Sequence, residues 1–205
     1  MLAPANRSAQ ADTNLVMRCS GKIRCAWTRE VALHLLFVCT GNICRSPIAE
    51  RLAVAYGRRH GILDLEASSA GTGAVVGHPI HHHAVSVIEE LGGDASDFAA
   101  RQLTARIATD ADLVLAMTKA HRDAVLTLAP RLLHRTFTLA ECARLAADHR
   151  PTDIAELAAL RSRAAALGVA DVADPIGRSA DFFSQVGRQI ADYLPPIIDL
   201  CRRSG

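Results

Sequence analysis

At 205 residues the chain is long enough for one domain with a full core and too short for two of ordinary size. Its 23 basic and 21 acidic residues leave a net charge of +2; five basic and two acidic residues fall within 1–32, so the remainder sums to −1, which argues against a nucleic-acid partner. Half of the residues are hydrophobic and only 4% aromatic, so disorder is disfavoured and the core is aliphatic, with no stacking platform for bases.

Residues 1–32 show no helical or strand periodicity and read as a loosely structured N-terminal extension. They carry no apolar segment of the kind that precedes a secretory cleavage site. Leu35-Leu36-Phe37-Val38 is an uninterrupted apolar run, as in a strand buried on both faces, and far below the ~20 residues needed to cross a bilayer. No membrane partner is expected. A helix should open at Ser46-Pro47, where proline suits the first turn and Glu50 suits the positive end of the dipole. The alternation then repeats, with a strand over 64–69, a helix over 79–91 ended by Gly92-Gly93, and a buried strand over 111–117. A helix over 119–128, a short strand over 135–138 and a helix over 139–147 come next. Residues 153–167 are helical, and a closing helix over 179–203 is interrupted at Pro195-Pro196. Strands alternating with helices predict an open parallel α/β sheet, with its site outside the carboxyl ends of the strands.

The segment from Val38 to Pro47, VCTGNICRSP, joins the first strand to the first helix at that end. Its core, Cys-x5-Arg, is weak evidence alone, since six Cys and 21 Arg in this chain give such a pair by chance about half the time. Placement decides more. A loop containing Gly41 and ending on a helix N-terminus can turn successive backbone N–H groups inward, an anion cradle of phosphate size. Arg45 at its rim adds a planar bidentate clamp. Cys39 at its base then sits where positive potential is highest, the setting in which a thiol pKa falls to ~3.5–7.5. The contrary reading is an inert strand-end thiol.

At these residues the chain resembles the low-molecular-weight protein tyrosine phosphatase family. The likeness continues through Ser69-Ala70-Gly71-Thr72, Ala100-Arg101-Gln102-Leu103-Thr104, the run from Asp112 to Met117 and Asp174-Pro175, covering roughly residues 34–203. The resemblance implies a three-layer αβα sandwich with a four-stranded parallel sheet over 33–205, including an added helical stretch around 139–170. It also implies a cofactor-free, metal-free phosphomonoesterase working through a phosphocysteine intermediate. Cys39 would attack phosphorus, Arg45 would hold the phosphoryl group, and Asp174 would serve as the acid, with Asp171 as a fallback. Thr40, Gly41, Asn42, Ile43, Cys44 and Ser46 would form the substrate loop, Ser46 steadying the thiolate and Asn42 bracing the turn. The substrate would be a phosphorylated protein, through phosphotyrosine, or a small aryl phosphate.

Several positions depart from the family pattern. Ile176 and Gly177 stand where it usually has cleft tyrosines, the stretch Thr72-Gly73-Ala74-Val75 lacks its usual aromatic, and Phe98 replaces a histidine that supports the loop asparagine. These weaken an aryl preference and question the loop's support. Protein arginine phosphatases of the same family typically carry Thr where Ile43 stands, so Ile43 favours the tyrosine type or a generic ester. A thioredoxin-coupled arsenate reductase would need relay cysteines, and residues 45–141 contain none, leaving Cys142 and Cys201. A phosphoprotein-binding module is the non-enzymatic alternative. Cys39 and Cys44 could close a protective disulfide. His78, His81, His82 and His83 form a histidine cluster in which 78 and 82 would share a helical face. Six cysteines are too sparse in a chain of this size for a disulfide scaffold, which points to the reducing cytoplasm.

Overall fold

The computed structural model describes residues 33–62, 64–164 and 168–204; the expected N-terminal extension lies outside them. Strand β1 (His34–Cys39) pairs in parallel with β2 (Glu66–Gly71) on one side and β3 (Leu113–Ala116) on the other, and β3 pairs in parallel with β4 (Thr136–Thr138). The order β2-β1-β3-β4 gives the four-stranded parallel sheet. Because side chains alternate along a strand, Leu35 and Phe37 of β1 enter one apolar layer while Leu36 and Val38 enter the other. Both faces are therefore covered. On one lie α1 (Arg45–Arg59), α2 (His82–Glu90), α5 (Leu139–His149) and α8 (Ala180–Ser204), whose buried residues join the Leu35 cluster. On the other lie α3 (Ala105–Thr109) and α4 (Lys119–Leu128), through Ala108 and Val125.

The chain leaves β1 for β2 on one side and returns past it to β3 on the other. A crevice therefore opens at the carboxyl end of β1, where Cys39 ends the strand.

Several elements differ from expectation. Strand β2 runs two residues later than the 64–69 read from sequence, because Ser69-Ala70-Gly71 pairs with Phe37-Val38-Cys39 despite its low apolar content. Helix α2 starts at His82 rather than 79: the His81 N–H is taken by the Ile43 carbonyl at 2.8 Å, and the His81 ring caps the helix. His78 thus lies outside the helix and shares no helical face with His82. Stretch 153–167 yields two short helices, α6 (Ile154–Ala159) and α7 (Arg161–Ala164), with 165–167 outside the described residues. Helix α3 and a 3-10 turn, Pro130–Arg135, were not anticipated; α3 is a single capped turn on Thr104.

The closing helix is continuous through Pro195 and Pro196. Each proline removes one ladder bond, a cost of roughly 3 kcal/mol in a helix interior. Ile190, Leu194, Ile197, Ile198 and Cys201 form one buried stripe along it, and their packing offsets that cost.

Candidate active site

The loop Thr40–Cys44 is shaped from outside. The Cys39, Thr40 and Gly41 carbonyls accept from the N–H groups of Thr72, Gly73 and Val75 at 2.9–3.0 Å, and the Ile43 carbonyl accepts from His81. Across a trans peptide the carbonyl and the next N–H point opposite ways. Drawing these carbonyls outward therefore turns the amides of Gly41, Asn42 and Cys44 inward, towards the N-terminus of α1. The turn itself depends on Asn42, at φ 55° in the left-handed region, rather than on Gly41.

Asn42 is fully buried and fully used. Its amide donates to Ser69 Oγ at 2.8 Å and Ser46 Oγ at 3.0 Å, while its oxygen accepts the Arg101 N–H at 2.8 Å. Both serine oxygens are accepting, so their own protons go onward. Ser69 donates to Glu50 at 2.6 Å, and Ser46 lies 2.9 Å from Cys39 Sγ, placed to donate to it. The doubt raised by Phe98 is met here: Glu50, Ser69 and the Arg101 backbone brace the asparagine. Phe98 instead lies half-buried under the Arg51 guanidinium. Burial holds Glu50 above the usual carboxylate range, with the Ser69 bond opposing it.

Gly71 is required by space. A Cβ there would sit 2.3 Å from the Thr40 carbonyl. Gly71→Ala is expected to shift the nucleophile loop, costing about 1–3 kcal/mol in thermal melts and most of any activity.

A cavity of about 300 Å³ opens above the loop, lined by Cys39, Thr40, Gly41, Ile43, Cys44, Arg45 and Asp174 together with Gly73, Val75 and Ile176. Asn42 and Ser46, expected among the substrate-contacting residues, have buried side chains behind the loop and support it from there. Cys39 is 2% exposed, at the cavity floor. Burial, and the neighbouring Cys39 and Asp174, push the Cys44 thiol up to about 12, which leaves it protonated; both are free thiols. Arg45 is buried, donating to the Val172 carbonyl at 3.2 Å and to Asp174 at 2.5 Å. Asp174 is half exposed, at the cavity mouth. The fallback acid is spent elsewhere, since Asp171 accepts the Lys119 N–H at the start of α4 at 2.9 Å and does not line the cavity.

His121 was not singled out from sequence. It is 7% exposed on α4, with Nε2 2.8 Å from Thr40 Oγ1 and Nδ1 2.9 Å from Thr118 Oγ1. Burial, with Arg45 nearby, lowers its pKa to about 4, so it is neutral near pH 7. Below its ordinary pKa of 6.5 the unfolded chain takes up a proton that the fold resists until about 4. Stability attached to this group is therefore full above 6.5 and lost as pH falls towards 4, by about 3 kcal/mol at most. Chemical denaturation of wild type and His121→Gln across that range should show a flatter profile for the variant. Only its place three residues after a helix-capping threonine marks it in the sequence.

Cys142 and Cys201, the candidate relay cysteines, are buried in the core on α5 and α8, and burial pushes both thiols up. The His81 ring stacks on those of His82 and Phe183, with centroids 4.4 and 4.8 Å apart. Among the described residues no group of three or more His, Cys, Asp or Glu side chains is arranged to hold a metal ion. No helix among them is long and apolar enough to cross a membrane.

Residues 34–156 match the family model for low molecular weight phosphotyrosine protein phosphatase. The chain belongs to that family. It is 40% identical over 102 residues to the low molecular weight protein-tyrosine-phosphatase Etp of Escherichia coli, a match covering 50% of this chain and 66% of that relative, just short of two thirds of its length. It is 32% identical over 162 residues to the protein-arginine-phosphatase of Bacillus subtilis, covering 79% and 92%. The crystal structure of the low molecular weight protein tyrosine phosphatase from T. tengcongensis superposes with a TM-score of 0.65 at 32% identity, covering 81% of this chain and 97% of that one. The expected three-layer α/β fold is thus that of the family's solved members.

Proposed function

We propose that the chain is a cysteine-dependent protein tyrosine phosphatase working through a phosphocysteine intermediate. One observation carries the reading: Cys39 Sγ, backed by the Ser46 hydroxyl, shares a single cavity with Arg45 and Asp174 at the N-terminus of α1. Inward amides, the helix end and a guanidinium all favour negative charge there, so a phosphate dianion is the matching ligand and the thiolate lies beneath it.

In the first step the Cys39 thiolate attacks phosphorus, the ester P–O bond breaks, and Asp174 gives its proton to the departing oxygen. In the second, water attacks the phosphocysteine, Asp174 takes a proton from that water, and the P–S bond breaks to release inorganic phosphate. The balance closes without metal or cofactor. An incoming dianion competes with Asp174 for Arg45, which frees the carboxyl for the leaving group. The chemistry needs a reduced Cys39, which suits the cytoplasm.

The cavity walls above the phosphate site are Ile43, Val75 and Ile176, all aliphatic, and Asp174 is the lining carboxylate. Such walls suit an uncharged aryl ring by van der Waals contact rather than stacking. They offer little to a cationic guanidine, which weighs against the arginine specificity named for the Bacillus relative. The deciding assay uses a chromogenic aryl phosphate alongside phosphotyrosine and phosphoarginine peptides, with rapid acid quench to trap phosphoenzyme. Hydrolysis of the aryl and tyrosine esters with label on Cys39 is expected. Turnover of phosphoarginine alone would reassign the substrate, and absence of any phosphoenzyme would remove the mechanism.

A further inference from the structure

A hydrogen-bonded line through Thr118 and His121 connects α4 to Thr40 of the nucleophile loop. The His121 N–H donates to Thr118 Oγ1 at 3.2 Å; Thr118 Oγ1 lies 2.9 Å from His121 Nδ1; His121 Nε2 lies 2.8 Å from Thr40 Oγ1. A neutral imidazole carries one proton on one nitrogen. The assignment that uses every donor of the Thr118–His121 pair has the Thr118 hydroxyl donate to Nδ1, which puts the ring proton on Nε2, where it donates to Thr40. The Thr40 oxygen is then an acceptor, and its own proton is free. Thr40 lines the cavity, directly follows the nucleophile, and has its backbone fixed by the bond from the Gly73 N–H to its carbonyl at 3.0 Å. Its methyl group faces Gly73, where an added Cβ would meet it at 3.9 Å. That leaves the cavity as the place for the hydroxyl proton.

We infer that Thr40 donates this proton to an oxygen of the bound phosphate ester, and that His121 is the positioning residue that orients it. The inference rests on the phosphatase reading of the Cys39 site. It adds a side-chain donor to the backbone cradle, one that binds the phosphoryl group whatever alcohol is attached to it.

Steady-state hydrolysis of a chromogenic aryl phosphate, with inorganic phosphate as competitive inhibitor, tests it in the full-length protein. Thr40→Val should lower kcat/KM about tenfold and raise the phosphate inhibition constant, as loss of one charge-assisted hydrogen bond does. Thr40→Ser should stay within about twofold of wild type on both measures. His121→Phe should cost the same factor as Thr40→Val, and the double variant should lose no more than either single one. A Thr40→Val protein indistinguishable from wild type, or His121 and Thr40 losses that multiply, would overturn the inference. Should His121→Phe fail to fold, the Val and Ser pair at position 40 still decides it. Wild type that neither turns over nor becomes phosphorylated would instead count against the phosphatase reading itself.

Discussion

Cys39→Ser should abolish turnover of an aryl phosphate, a loss of about 10⁴-fold or more in kcat, while inorganic phosphate continues to protect the protein thermally. Serine is close in size, and its oxygen can still meet Ser46 Oγ, so the cradle survives. What disappears is the nucleophile. A hydroxyl at position 39 has no base beside it: Ser46 is placed as a donor, and Asp174 is engaged at the cavity mouth by Arg45 and the Ile176 N–H. Phosphate bound to the variant draws on the same amides and the same guanidinium, none of which the substitution touches. Thermal melts with and without phosphate separate a lost nucleophile from a lost site.

Asp174→Asn should slow the phosphorylation of Cys39 by about 10²–10⁴-fold with esters of poor leaving groups, and much less with an activated aryl ester. The amide oxygen can still accept from Arg45, so the mouth of the cavity keeps its shape, but the side chain has no proton to give an alkoxide or phenolate. With an activated ester the first step needs no acid, yet the second still needs a base. Phosphoenzyme should therefore accumulate in the variant, visible as a burst of released phenol followed by a slow steady rate. Equal slowing across leaving groups, with no burst, would show that Asp174 acts only as a partner for Arg45.

The segments legible in sequence were those whose signal is local. A run such as Leu35–Val38 has one reading, a strand buried on both faces, and the glycine-containing turn into Ser46-Pro47 has one as well; together they located the anion cradle and its nucleophile. What stayed hidden depends on contacts distant along the chain. Ser69-Ala70-Gly71 looks like a weak strand until Cys39 is known to lie beside Gly71. The stretch 72–78 carries no helix or strand signal, yet the amides of Thr72, Gly73 and Val75 take the carbonyls whose direction makes the cradle. His121 lies 81 positions from Thr40 and meets it only because β1 and β3 are adjacent. Pro195-Pro196 misled for the converse reason: a local breaker was outweighed by burial along the whole of α8.

That proline pair has a further consequence. Two successive residues without an amide proton leave the carbonyls of Ala191 and Asp192 with no partner four positions ahead, so the ladder that joins the final turns to the earlier ones is two bonds short at this point. Unwinding that begins at the carboxyl tail should halt at this gap, leaving Phe183, Val186 and Ile190 seated against the sheet.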